Sequence, residues 1–99
     1  MNYMNETIEI SIKIEDDKEL KCKLRQPDFK TYCAALNALN TSDENGNMKL
    51  IETGDIILLN CFIPEESDNE ILTRPDVRVF AAQAAVSLLK VWNTDIKKN

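Results

Sequence analysis

Apolar and polar residues alternate strictly over residues 7–14, Thr-Ile-Glu-Ile-Ser-Ile-Lys-Ile. Ile8, Ile10, Ile12 and Ile14 fall on one side, and Glu9, Ser11 and Lys13 on the other. That is the period of a half-buried strand with one wet face. A polar stretch over residues 15–19 follows. Leu20, Cys22 and Leu24 then alternate with Lys21, Lys23 and Arg25. The two runs predict a β-hairpin with a single apolar face. A lone hairpin is marginal in water, so helices or another chain must cover that face.

The period then changes from two to about 3.6. Pro27 suits the first turn of a helix, and Asp28 complements its positive end. Phe29, Tyr32, Cys33, Leu36 and Leu39 recur at helical spacing and predict an amphipathic helix ending near Asn40. Residues 41–47 are polar and read as a loop. Residues 48–62 fit a helix in which Gly54 is a weak point, or a turn followed by a buried strand over residues 56–63; the helix is favoured. After a loop at residues 64–69, Thr73-Arg74-Pro75-Asp76 carries the signals of a helix start. The helix is expected to run to about Trp92, with Val77, Phe80, Ala84, Leu88 and Val91 on one stripe. Its alanines at 81, 82, 84 and 85 offer a slim surface that a neighbouring element can approach closely. The expected fold is α+β, a two-stranded antiparallel hairpin packed on about three helices.

The chain has 99 residues, which predicts one domain, with residues 1–6 and 94–99 expected to be flexible. It contains 43% apolar and 29% charged residues, an ordinary globular composition. The N-terminus lacks the basic and apolar regions of a signal peptide, and the longest aliphatic run spans only residues 56–59. Neither a spanning helix, which needs about 20 apolar residues, nor export is expected, and the chain reads as cytoplasmic. The net charge of −5 argues against nucleic acid as a partner. Charge is unevenly spread: residues 41–76 hold nine acids and two bases, whereas residues 77–99 hold one acid and four bases. The acidic stretch is either a solvated face or a partner-facing patch.

Histidine is absent, which removes the commonest general base and metal ligand together. Cysteines 22, 33 and 61 form no Cys-x-x-Cys pair and are expected to be reduced, buried thiols. Asp43, Asn45 and Asn47 resemble the opening of a calcium loop, but Gly46 stands one position early and Gly54 occupies the place of the bidentate Glu. Two glycines cannot build a phosphate-cradling loop, and Ser11, Cys33 and Ser87 lack a histidine to activate them. No metal, cofactor or catalytic residue is therefore assigned, and the chain is not expected to be an enzyme. Phe62, Ile63 and Trp92 lie at the ends of predicted elements. They either pack at the core edge or stand out as anchors for a protein partner.

The order of features resembles small phage and prophage tail-assembly-chaperone-like proteins of similar length. The similarity runs over residues 7–96. It rests on the hairpin leading to Leu24-Arg25-Gln26-Pro27, the aromatic helix from Phe29 to Leu39, and the phrase Ile56-Ile57-Leu58-Leu59-Asn60-Cys61-Phe62-Ile63. An acidic loop and an Ala-rich helix complete it. The Gly-Asp usual after the second segment is replaced here by Pro64-Glu65-Glu66. The resemblance implies a helper that coats or presents the helical tape-measure protein during tail assembly, with no active-site residues. The alternative is a structural subunit of a phage particle or ring, a homo-oligomer assembling through the hairpin edge and helix contacts.

Overall fold

A computed structural model describes residues 6–41, 46–90 and 97. The fold is α+β. Strands β1 (Thr7–Glu15) and β2 (Lys18–Arg25) form a two-stranded antiparallel sheet. Helices α1 (Phe29–Thr41), α2 (Gly46–Cys61), α3 (Glu70–Thr73) and α4 (Pro75–Ala85) follow, with 3-10 turns at Pro64–Glu66 and Val86–Leu88.

The hairpin forms as the alternation requires. Ile8 faces Leu24, Ile10 faces Cys22 and Ile12 faces Leu20, so the apolar sets of both strands share one face. Register shifts by one residue between Lys13 and Glu15, next to the Asp16-Asp17 turn. The core gathers beneath β2. Leu20, Cys22 and Leu24 are buried in one cluster with Ile57, Leu58 and Cys61 of α2, Ile71 of α3, and Val77, Ala81, Ala82 and Ala85 of α4. The four isoleucines of β1 are only half-buried at the margin of this cluster.

Helix α1 is capped by Asp28, whose carboxylate accepts the Thr31 N–H at 2.9 Å. That bond holds the Asp28 carboxyl below its ordinary pKa. Pro27 is buried just before the cap rather than inside the first turn. The helix is rotated from the face its spacing implied. It buries Thr31 and Ala35, half-buries Tyr32, Leu36 and Leu39, and leaves Phe29 83% exposed and Cys33 exposed. The Tyr32 hydroxyl donates to the Leu88 carbonyl and accepts the Lys90 N–H, both at 3.1 Å, tying α1 to the end of the α4 segment.

Residues 48–61 are helical, as favoured, and the helix begins earlier, at Gly46. It therefore occupies the apparent calcium loop from its fourth position onward, while Asp43 and Asn45 lie outside the described residues. Gly54 is the point of closest helix approach. A Cβ built there would lie 1.7 Å from the Ala82 carbonyl oxygen, so backbone from α4 fills the space a side chain would need.

Helix α4 departs from expectation in three respects. Its N-cap is Arg74 with no side-chain bond, while the Thr73 hydroxyl donates back to Asn69 at the end of the unanticipated helix α3. Pro75 fixes the first turn, and its inability to continue α3 separates the two helices. The α-helix ends at Ala85 and tightens into a 3-10 turn, so it does not reach Trp92. Its buried stripe is Val77, Ala81, Ala85 and Leu88, with Ala82 beside it, whereas Phe80 is 62% exposed. The close approach to Gly54 selects the small side chains and turns the large one outward.

Candidate interaction surface

The segment after α2 closes one edge of the sheet. Phe62 forms an isolated antiparallel bridge with Leu24. The Ile63 N–H donates to the Lys23 carbonyl at 2.9 Å, and the Asp68 N–H donates to the Lys21 carbonyl at 2.8 Å. In return, Lys21 N–H reaches Asp68 Oδ2 at 2.7 Å and Lys23 N–H reaches Ser67 Oγ at 2.8 Å. Every outward donor and acceptor of Lys21 and Lys23 is thus satisfied within the chain.

This use decides the placement of two candidate anchors. Ile63 is buried, 6% exposed, and Phe62 is half-buried against the core. Both seal β2 from the side, and of the two only Phe62 keeps part of its surface accessible. Their position at an element end is correct, but the missing third strand of the sheet draws them inward. Trp92 lies outside the described residues.

Accessible apolar groups occur instead on both flanks of α4. On one flank, a groove of about 520 Å³ runs between α2 and the α3–α4 corner. Ile51, Leu72, Pro75 and Val79 line it. Asp55 and Arg78 cross it in a two-pronged ion pair, with Nε–Oδ1 at 2.8 Å and Nη2–Oδ2 at 2.7 Å. This pairing raises the Arg78 pKa, chiefly through the hydrogen bonds to Asp55. Met48, 41% exposed, shares the Ile51–Asp55 face of α2 by helical spacing. On the other flank, a depression of about 390 Å³ is lined by Ile10, Ser11, Ile12, Lys13, Phe80 and Ala84.

Sequence periodicity places Phe80 on the core stripe, whereas it is a surface group. The available signal was the pairing of Gly54 with an alanine-rich helix. Two elements that pack through such small residues cannot also bury a phenylalanine between them.

The thiols divide into two kinds. Burial pushes Cys22 and Cys61 up to about 11, so both stay protonated at neutral pH. Cys33, expected to be buried, is exposed on α1. A thiol-alkylating reagent should therefore modify one cysteine per folded chain, at Cys33, and all three in denaturant; peptide mass mapping reads the sites. Rapid labelling of Cys22 in the native protein would contradict the core described above. Among the described residues, no group of three or more His, Cys, Asp or Glu side chains is arranged to hold a metal ion. No helix among them is long and apolar enough to cross a membrane.

Comparison with protein families, curated proteins and solved structures finds no match to this chain.

Proposed function

We propose that this chain is a non-enzymatic protein-interaction module, a phage-type tail assembly helper that binds an apolar helical segment of a tape-measure protein. The observation that carries the reading is the groove between α2 and the α3–α4 corner. Half-buried Ile51 and exposed Val79 lie on its two helical walls, Leu72 also lines it, and the Asp55–Arg78 pair supplies a polar crossbar. An amphipathic helix laid into such a groove buries its apolar stripe at i, i+3, i+4 and i+7. Burial contributes about 25 cal/mol per Å² before association costs are subtracted. The overall charge of −5 keeps the free chain soluble and favours a client with basic flanks at low salt.

The test is co-expression with the tape-measure protein encoded in the same gene neighbourhood, followed by co-purification. Wild type should retain the client, and Val79→Asp, at a partly exposed position, should lose it while remaining folded. A neighbourhood without tail genes, or a wild-type chain that retains nothing, contradicts the reading.

The second reading, a structural subunit assembling through the hairpin, is favoured by one separate observation: β2 is sealed along its outer edge, whereas among the described residues no hydrogen bond from outside the hairpin reaches the backbone of β1.

A further inference from the structure

We propose that the open edge of β1 pairs with β1 of a second copy, antiparallel and centred on Ser11, to make a continuous four-stranded sheet. The inference is independent of the client reading, because the purified chain alone supplies both partners.

The backbone sets the first condition. Lys21 and Lys23 turn both their N–H and C=O groups away from β1, towards residues 63–68. Ser11 and Glu9 stand opposite them in the register. In an antiparallel pair, a residue facing an outward-turned partner is itself turned outward. Ser11 and Glu9, and Lys13 by alternation, therefore direct their N–H and C=O groups to the open edge. Two chains related by a two-fold axis through Ser11 would exchange both bonds at Ser11 and again at each Glu9–Lys13 pair.

Charge sets the register. The strand reads Thr-Ile-Glu-Ile-Ser-Ile-Lys-Ile-Glu, with Glu9 and Lys13 equally far from Ser11. Centred on Ser11, Glu9 of each copy faces Lys13 of the other, and isoleucine faces isoleucine at every even position. Centring on Glu9 or on Lys13 would oppose like charges, which is destabilising. Neither residue has an ion-pair partner among the described residues. Within the hairpin, Lys23 faces Glu9 and Glu19 faces Lys13. The wet face of the four-stranded sheet would then alternate in sign across all strands: Lys23, Glu9, Lys13 of the second copy and Glu19 of the second copy.

The apolar face supplies the area. Ile10 and Ile12 are half-buried and lie beside the 62%-exposed Phe80 in one depression. Pairing at the edge brings the second copy's Ile10 and Ile12 alongside that depression, so Phe80 of each chain is covered. An edge of this length that no described residue covers, with apolar residues on one face, is the kind that natural proteins otherwise block.

The experiment uses the full chain. Sedimentation equilibrium of wild type should show twice the monomer mass, falling towards the monomer on dilution. Phe80→Asp, at an exposed position, should weaken association by at least about tenfold, as for loss of an interface aromatic. Register is read by oxidation in a Cys33→Ser background. Ser11→Cys should crosslink two chains, because directly paired residues lie about 5.5 Å apart, within disulfide reach. Glu9→Cys alone should not, since its two copies would lie about 13 Å apart along the strands. Glu9→Cys mixed with Lys13→Cys should crosslink as heterodimers. A monomeric wild type at every concentration overturns the proposal. So does crosslinking of Glu9→Cys as efficient as that of Ser11→Cys.

Discussion

Replacing Gly54 with alanine is expected to lower the melting temperature by more than about 10 °C. Two effects oppose each other. Alanine is the better helix former by about 1 kcal/mol, so at an open helical site the change would stabilise. Here the new methyl would lie 1.7 Å from the Ala82 carbonyl oxygen and 2.9 Å from Val86 Cγ2. The first of these is backbone, and it cannot swing away as a flexible side chain can. Overpacking of a close contact costs about 1–3 kcal/mol and more where main chain must move. Separating α2 from α4 would also loosen the contacts of Ile57, Leu58 and Ala81. The net loss of about 2 kcal/mol or more corresponds to the stated shift for a domain of this size. The sign decides the matter: a rise in melting temperature would mean that α2 and α4 do not meet at Gly54.

Folding stability is expected to fall steeply between about pH 9 and pH 11. The folded pKa values of Cys22 and Cys61 are raised by burial from 9.0 to about 11. Below pH 9 both thiols are protonated in the folded and unfolded chains, so they add no pH dependence. Above it the unfolded chain releases protons that the folded chain retains, and stability drops until the folded thiols ionise near pH 11. At about 1.4 kcal/mol per unit, each thiol accounts for roughly 2–3 kcal/mol at the end of that window. Together they approach the whole stability of a small domain. Urea denaturation at stepwise pH measures the slope. The double variant Cys22→Ala, Cys61→Ala should flatten it, whereas Cys33→Ala, at the exposed site, should leave it unchanged. An equal slope in the double variant would assign the loss to other groups.

The hairpin was legible because a period of two needs no tertiary information. Ile8 to Ile14 and Leu20 to Leu24 can satisfy their alternation in only one way. Helix α2 was legible as an apolar run, but its partner was not, because the key residue is a glycine with no side chain to weigh. The same cause hid the surface. Periodicity assigned Phe80 to the core stripe of α4 because phenylalanine outweighs alanine on any hydrophobicity scale. Steric closeness at Gly54 overrides that weight and buries Ala81, Ala82 and Ala85 instead. Phe62 and Ile63 lie just past the end of α2, as the pattern of apolar residues implies. That they fill the open side of β2 depends on backbone groups of Lys21 and Lys23, which a reading of side chains does not count. Helix α3 has only four residues and left no periodic trace.

The groove between α2 and the α3–α4 corner carries the functional account, and amide chemical-shift mapping tests it most directly. The isotope-labelled chain would be titrated with an amphipathic helical segment of the proposed client, a phage tape-measure protein. The account predicts saturable shifts concentrated at Ile51, Glu52, Leu72, Val79 and Ala82, which are abolished in Val79→Asp. A spectrum unchanged at excess segment, or shifts that leave these five residues untouched, would contradict it.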